Sequence, residues 1–299
     1  MRPVLVYLPF HLPIYSYGVM LGLSLIVGWY IVLGLCERDG MDREKMGTLY
    51  VWTAVSSVSG ARLLYVLTNL ERFDHFFDIF KVWQGGLVAY GGFLGGFLFG
   101  IGYCTVHRIK LLAWADCVVP SLGTGLAITR IGCLLFGCDF GAPIPDGSVA
   151  LKWAVQFPRD SPAFVEQVKH GLLAASAAKS LPIHPTQIYE SAVGLALFGL
   201  TMLVRRYRTF SGQMLIAFTM GYAVLRFYLE TLRADEQRGE IGPLSTSQFI
   251  GILTFLAAGA LYFVLRAHQK RHPGSLRYWE PEPVVAAPEP VQKKRKKKR

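Results

Sequence analysis

Seven apolar stretches run along this chain of 299 residues, at roughly 14–36, 46–69, 86–106, 111–137, 186–204, 213–232 and 247–266. Each is close to the ~20 residues that an α-helix needs to cross a hydrocarbon core. The pattern predicts an all-α integral membrane protein, a bundle of about seven transmembrane helices with loop and amphipathic segments on its outer face. The first stretch is too long for the apolar part of a cleavable leader, has no strongly basic lead-in and no small-residue cleavage site after it, so it is expected to stay as a helix. ERFDHFFDIFKVWQ, at 71–84, reads as an amphipathic piece lying on the outer surface. The longest outer loop is 139–183, with Pro143, Pro145, Pro158 and Pro162 and an amphipathic-looking piece from Pro162 to Ser180. Its aromatic and apolar content favours an ordered lid or platform.

Composition agrees with that class. Hydrophobic residues make up 52% of the chain and charged ones 17%, with a mean hydropathy of +0.35, outside the soluble globular range. Of the net charge of +11, the terminal run KKRKKKR supplies seven, leaving +4 for everything else. Basic residues near span ends mark the cytoplasmic side. The tail, the Arg205-Arg206-Tyr207-Arg208 loop and the His107-Arg108-Ile109-Lys110 loop then share that side, with the N-terminus outside. The expected organisation is one catalytic membrane domain over 1–270, including the outer loop 139–183, and a disordered basic cytoplasmic tail over 271–299 that touches anionic lipid. A folded basic face for nucleic acid is not evident. Cys36, Cys104, Cys117, Cys133 and Cys138 fall in or beside spans, which supports neither a disulfide framework nor a four-ligand zinc site; only Cys133 and Cys138 form a pair worth testing. No metal or cofactor is expected.

Candidate chemistry concentrates in TRIGCLLFGCDFG, at 129–141, where Arg130 and Asp139 stand among Gly132, Gly137 and Gly141 at the end of an apolar run. Charge at that depth is costly and points to function, and glycines let a ligand approach the backbone closely. Arg62, with Tyr65, lies inside the second span beside Ser56, Ser57, Ser59 and Gly60. Six glycines crowd residues 85–96 around Tyr90, more than helix packing alone asks for, so a broken helix lining a cavity stands beside a close helix crossing as its reading. HPTQIYE, at 184–190, opens the fifth span, with His184 at the outer mouth, Gln187 following and Glu190 a turn deeper and in need of a cationic partner. Tyr222, Arg226 and Glu230 recur at i,i+4 steps with Arg233 beyond, which permits Arg226–Glu230 and Glu230–Arg233 pairing. Tyr17-Gly18 sits just inside the outer end of the first span.

In combination these motifs resemble the bacterial prolipoprotein diacylglyceryl transferases. The resemblance runs from Tyr17 to Arg266 and rests on Tyr17-Gly18, Gly60-x-Arg62 with Tyr65, WQGGL with its later glycines, Arg130-Ile131-Gly132 with Gly137 and Gly141, HPTQIYE, and Tyr222-x3-Arg226-x3-Glu230. It implies a seven-span enzyme of the bacterial inner membrane, with its active site facing outward. The family moves a diacylglyceryl group from phosphatidylglycerol to the lipobox cysteine thiol of prolipoprotein signal peptides, the first step of lipoprotein maturation. The chain departs from the family pattern at Cys133, Phe136 and Cys138, where polar residues are usual, and at Tyr90, where the family often has a histidine.

The chemistry implied is attack of the thiol on the glyceryl carbon with departure of glycerol phosphate. It asks for charge stabilisation on the phosphate and an acceptor for the thiol proton. Arg130 and Arg226 are assigned to one phosphate, with Glu230 holding Arg226 and Tyr90, His184 and Asp139 as rival acceptors. Arg62, Tyr17, Tyr222, His184, Gln187, Gly132 and Gly141 complete the expected phosphatidylglycerol site. Only Asp139 is an evident local acid for Arg130, which leaves the lipid phosphate as its remaining partner. The rival readings are a transporter for an anionic solute, against which no internal repeat is found, and a lipid-binding membrane protein with altered catalysis.

Overall fold

The computed structural model describes residues 3–9, 12–73, 75–81, 85–233 and 239–276. Trp83, Gln84 and the basic run 293–299 lie outside the described residues. The chain is predominantly helical: α1 (Ser16–Arg38), α2 (Arg43–Thr68), α3 (Ala89–Val106), α4 (Leu111–Phe136), the short α5 (Pro162–Lys169), α6 (Thr186–Tyr207), α7 (Gln213–Glu230) and α8 (Thr246–Arg271). Five of these, α1, α3, α4, α6 and α8, are long and apolar enough to cross a membrane. The other two long helices, α2 and α7, carry Arg62 and the Arg226–Glu230 pair inside otherwise apolar sequence. Two small hairpins accompany the helices: β1 (Val4–Leu8) with β2 (Leu12–Tyr15), and β3 (Glu240–Ile241) with β4 (Leu244–Ser245). The first span therefore starts after a hairpin, and the last continues as helix to Arg271, beyond the expected 266.

Short connections fix the direction of neighbouring helices. Asp42 caps α2 through Glu44 N (2.9 Å) and Lys45 N (3.2 Å), so the chain reverses after α1 within a few residues. At this end Asp39 accepts from Arg205 at 2.6 and 3.2 Å and from Arg208 at 2.6 Å on each oxygen, tying α1 to the end of α6. Asp116 of α4 is fully buried and accepts from Gly212 N (2.8 Å), Met214 N (3.0 Å) and Leu215 N (3.0 Å). The first turn of α7 has no side-chain cap of its own, and the carboxylate from α4 satisfies its orphan N–H groups. Arg38, Arg206 and Arg271 fall at the C-terminal ends of their helices, and Arg108 follows the C-terminal end of α3. Beneath them, Val32, Cys36, Met46, Leu49, Cys104 and Trp114 form the main apolar core.

The glycine-rich stretch corrects one expectation. From Ala89 onward it is continuous helix, and Gly91 and Gly95 lie directly against α2 at Gly60, so that a Cβ on Gly60 would collide with the Gly91 carbonyl. Helix crossing, rather than a broken helix, explains them. Only Gly85 and Gly86 stand outside the helix, both with positive φ. Within the amphipathic piece expected at 71–84, the described residues form short 3₁₀ turns at Leu70–Arg72 and Phe76–Phe80.

A candidate active site at the ends of α4, α6 and α7

The opposite end of the bundle is built from the last turns of α4, the first of α6 and the exit from α7. Gly137, at φ 86°, takes the left-handed conformation that ends α4, and its N–H and that of Cys138 both bond to Cys133 O (2.7 and 3.2 Å). Asp139 follows in the same region at φ 55°, which turns its carboxylate back toward the helix end. The first turn of α6 fastens this corner: Thr186 Oγ1 donates to Asp139 O at 2.7 Å and Gln187 Nε2 to Cys138 O at 2.7 Å. Next to the corner the backbone forms a strap. Gly141 N bonds to His184 O (3.2 Å), His184 N to Ala142 O (3.1 Å), and Ala142 N to Leu232 O (2.9 Å), so the segment after α4 is held between the entry to α6 and the exit from α7. Gly141 is required here, because a Cβ would stand 2.5 Å from His184 O and 2.6 Å from His184 Cβ. Behind the strap Phe140, Phe157, Ala163 and Ile183 make a second core, so much of the 139–183 region is an ordered platform, with a 3₁₀ turn at Val149–Trp153 and α-helix at α5.

This scaffold closes a ring of four charges. Arg130 Nη1 lies 3.1 Å from Asp139 Oδ2, and Arg233 Nη2 lies 2.5 Å from Asp139 Oδ1. Arg233 Nη1 lies 2.6 Å from Glu190 Oε1, and Arg130 Nε pairs with Glu190 Oε2. Each carboxylate thus spans both guanidiniums, and the ring is formally neutral, which is how buried charge is tolerated. Burial pushes the Asp139 carboxyl up, but the charges of Arg130 and Arg233 and the hydrogen bond from Arg233 outweigh it and hold the group well below the usual carboxylate range.

Glu190 has the cationic partner it needs, and that partner corrects the premise that Arg130 has a single local acid. Arg233 is turned toward Asp139 and Glu190, and its importance was missed because its partners are far away in sequence. Arg226 pairs with Glu230 at 2.6 Å, one helical turn apart, as the spacing foretold. Among the described residues, Arg130 Nη2 and the Nε and Nη2 of Arg226 have no hydrogen-bond partner, although the two side chains are only 19% and 15% exposed.

The remaining expected residues divide. Gly132 packs on Tyr17, whose Cα would lie 3.1 Å from an added Cβ. Gln187 is buried with Oε1 unpartnered among the described residues. His184 Nδ1 is 3.5 Å from the Tyr189 hydroxyl. Tyr222 stacks on Phe218 with centroids 6.2 Å apart. Tyr90 is 66% exposed in the first turn of α3, which packs on α2. Arg62, expected as a head-group contact, spends its guanidinium on the carbonyls of Ile79 (2.7 Å), Asp78 (2.8 Å), Gly85 (2.7 Å) and Gly86 (3.1 Å), binding these residues to α2.

The fold and site define a multi-pass helical membrane protein with a cluster of charged, partly buried side chains at one end of its bundle. Residues 3–264 match the family model described as prolipoprotein diacylglyceryl transferase, and the chain belongs to that family. It is 32% identical over 267 residues to phosphatidylglycerol–prolipoprotein diacylglyceryl transferase 2 of Clostridium perfringens, covering 89% of this chain and 96% of that one. The Clostridium tetani enzyme is 30% identical over 256 residues, at 86% and 94% coverage. That of Thermus thermophilus is 32% identical over 221 residues, at 72% and 77%.

Proposed function

We propose that this chain transfers the diacylglyceryl group of phosphatidylglycerol to the lipobox cysteine thiol of prolipoproteins, the first step of bacterial lipoprotein maturation. The observation that carries the reading is the set of guanidinium N–H groups on Arg130 and Arg226 that the described residues leave unpaired, near the ends of two helices that meet at the charge ring. A phosphodiester entering there gains charge-assisted hydrogen bonds without disturbing the carboxylates that hold the arginines in place. As the thiol sulfur attacks the glyceryl carbon, the carbon–oxygen bond to phosphate breaks and glycerol phosphate leaves, with negative charge building on the oxygen nearest these donors and the thiol proton passing to the departing phosphate or to solvent. Glu190, Asp139 and Glu230 act as positioning residues. Orientation follows from the basic helix ends gathered opposite the site: that end is cytoplasmic and the site faces outward in the inner membrane. The absence of paired halves in the sequence weighs against a transporter for an anionic solute.

The direct test is to incubate the purified protein with phosphatidylglycerol labelled in its free glycerol and a lipobox peptide. Labelled glycerol phosphate released only when the peptide carries its cysteine supports the reading. A folded protein that releases none, with any peptide, overturns it.

A further inference from the structure

Two cysteines stand where α4 ends, and the helix-ending motif itself brings them together. Cys138 N bonds to Cys133 O at 3.2 Å, six residues closing on one, so side chains at these two positions meet whatever their identity. The two sulfurs and a carboxylate oxygen of Asp139 all lie within 4.8 Å of one another. Both thiols touch the charge ring: Cys138 Sγ lies 3.4 Å from Asp139 Oδ2, and Arg130 Nη1 lies 3.7 Å from Cys133 Sγ. They differ in access, since Cys133 is 4% exposed while Cys138 is partly open. The other cysteines, Cys36, Cys104 and Cys117, are sealed in the apolar core at the far end of the bundle.

We propose that Cys133 and Cys138 form a reversible dithiol–disulfide site that opens and closes beside Arg130. Cys138 attacks an external disulfide, of the small-molecule or oxidoreductase class, forming a mixed disulfide and expelling one thiol that leaves with the Cys138 proton. Cys133 then attacks the Cys138 sulfur, forming the internal bond and expelling the second thiol with the Cys133 proton. The pair loses two electrons and two protons, and the external disulfide gains them. Closure removes the S–H donor from Asp139 and re-aims the sulfur beside Arg130, so it lowers the activity of the neighbouring site. This regulatory half rests on the transferase reading; the covalent half stands without it.

The covalent half is tested by mass mapping. The full-length protein in detergent is treated with oxidised glutathione, and free thiols are alkylated before digestion. The expected product is a 133–138 peptide short of two hydrogens, with Cys36, Cys104 and Cys117 alkylated only after denaturation. Cys133→Ser should trap glutathione on Cys138, whereas Cys138→Ser should leave Cys133 unmodified. A Leu172→Cys variant, at a site 56% exposed, verifies that the oxidant acts. If Leu172→Cys is glutathionylated while Cys133 and Cys138 stay reduced, or if Cys133 is modified as readily without Cys138, the proposal is overturned. The regulatory half predicts a roughly tenfold fall in transfer on oxidation, the scale of one lost hydrogen bond to a charged group. That fall should be reversed by dithiothreitol and absent from Cys133→Ser. Closure demonstrated by mass with transfer unchanged removes the regulation.

Discussion

Arg130 and Arg233 grip the same two carboxylates, Asp139 and Glu190, each carboxylate giving one oxygen to each arginine. The four residues come from α4, the loop after it, α6 and the exit from α7, so the ring joins three segments in one neutral unit. It fixes Arg130 through Nε and Nη1 and leaves Nη2 available.

Removing one member leaves the others unbalanced. Arg233→Leu places two carboxylates against one guanidinium with the side-chain site only 2% exposed, and unfolding in detergent should show a loss of about 3–5 kcal/mol. Converting Asp139 to Asn in that background should restore part of the loss. Strictly additive effects of the two changes would show that the pair is not coupled.

Gly141→Ala should be among the most damaging of the small substitutions. The new methyl has to displace the His184 backbone and Thr186 Cγ2, 2.9 Å away, and with them the strap that frames the ring. Folded yield and transfer should both collapse, whereas Gly125→Ala within α4, where nothing lies within 4 Å, should be neutral or slightly stabilising. Equal behaviour of the two variants would contradict the packing described.

Arg62→Lys separates structure from chemistry. Lysine keeps the charge but cannot serve the several carbonyls that the guanidinium fork reaches. Proteolysis of the 75–86 connection should accelerate markedly, with the retained transfer activity exceeding that of Arg130→Lys. An unchanged digestion pattern would show that the carbonyl contacts do not hold the segment.

Acid should weaken the protein at both ends. Burial raises the carboxyls of Asp139 and Asp39, but arginine contacts outweigh it and leave each below its ordinary value. A depressed carboxyl contributes stability that is complete above its unfolded value, about 4, and that is lost as pH falls through the folded value. Stability should therefore be flat near neutrality on account of these groups and decline below about pH 4, less steeply in Asp139→Asn. A mutant profile with the same acid slope would dissociate Asp139 from the effect.

The helices were legible because membrane spans announce themselves by length and apolarity, and the Arg226–Glu230 pair because one helical turn fixes it. The Arg130–Glu190 and Arg233–Asp139 pairings were not, since each joins residues remote in sequence and depends on where α6 and α7 are set down. Glycine was ambiguous for a physical reason: lacking a Cβ suits both a helix crossing at Gly60 and Gly91 and a turn at Gly85 and Gly86, and only the neighbours distinguish them. The Arg62 carbonyl contacts were not legible because a buried arginine reads from sequence as an anion site, while backbone carbonyls remote in sequence also satisfy it.

The central claim is that the unpaired N–H groups of Arg130 and Arg226 hold one lipid phosphate. Transfer rates for Arg130→Lys, Arg226→Lys and the double variant, measured with phosphatidylglycerol and a lipobox peptide, test it. Each single change should lower transfer on the order of 10²-fold, the scale of losing a donor aimed at developing charge. The double variant should fall far less than the product of the two, because groups acting on one phosphate fail as a unit. Losses that multiply independently, or near-wild-type transfer by Arg130→Lys, would contradict it.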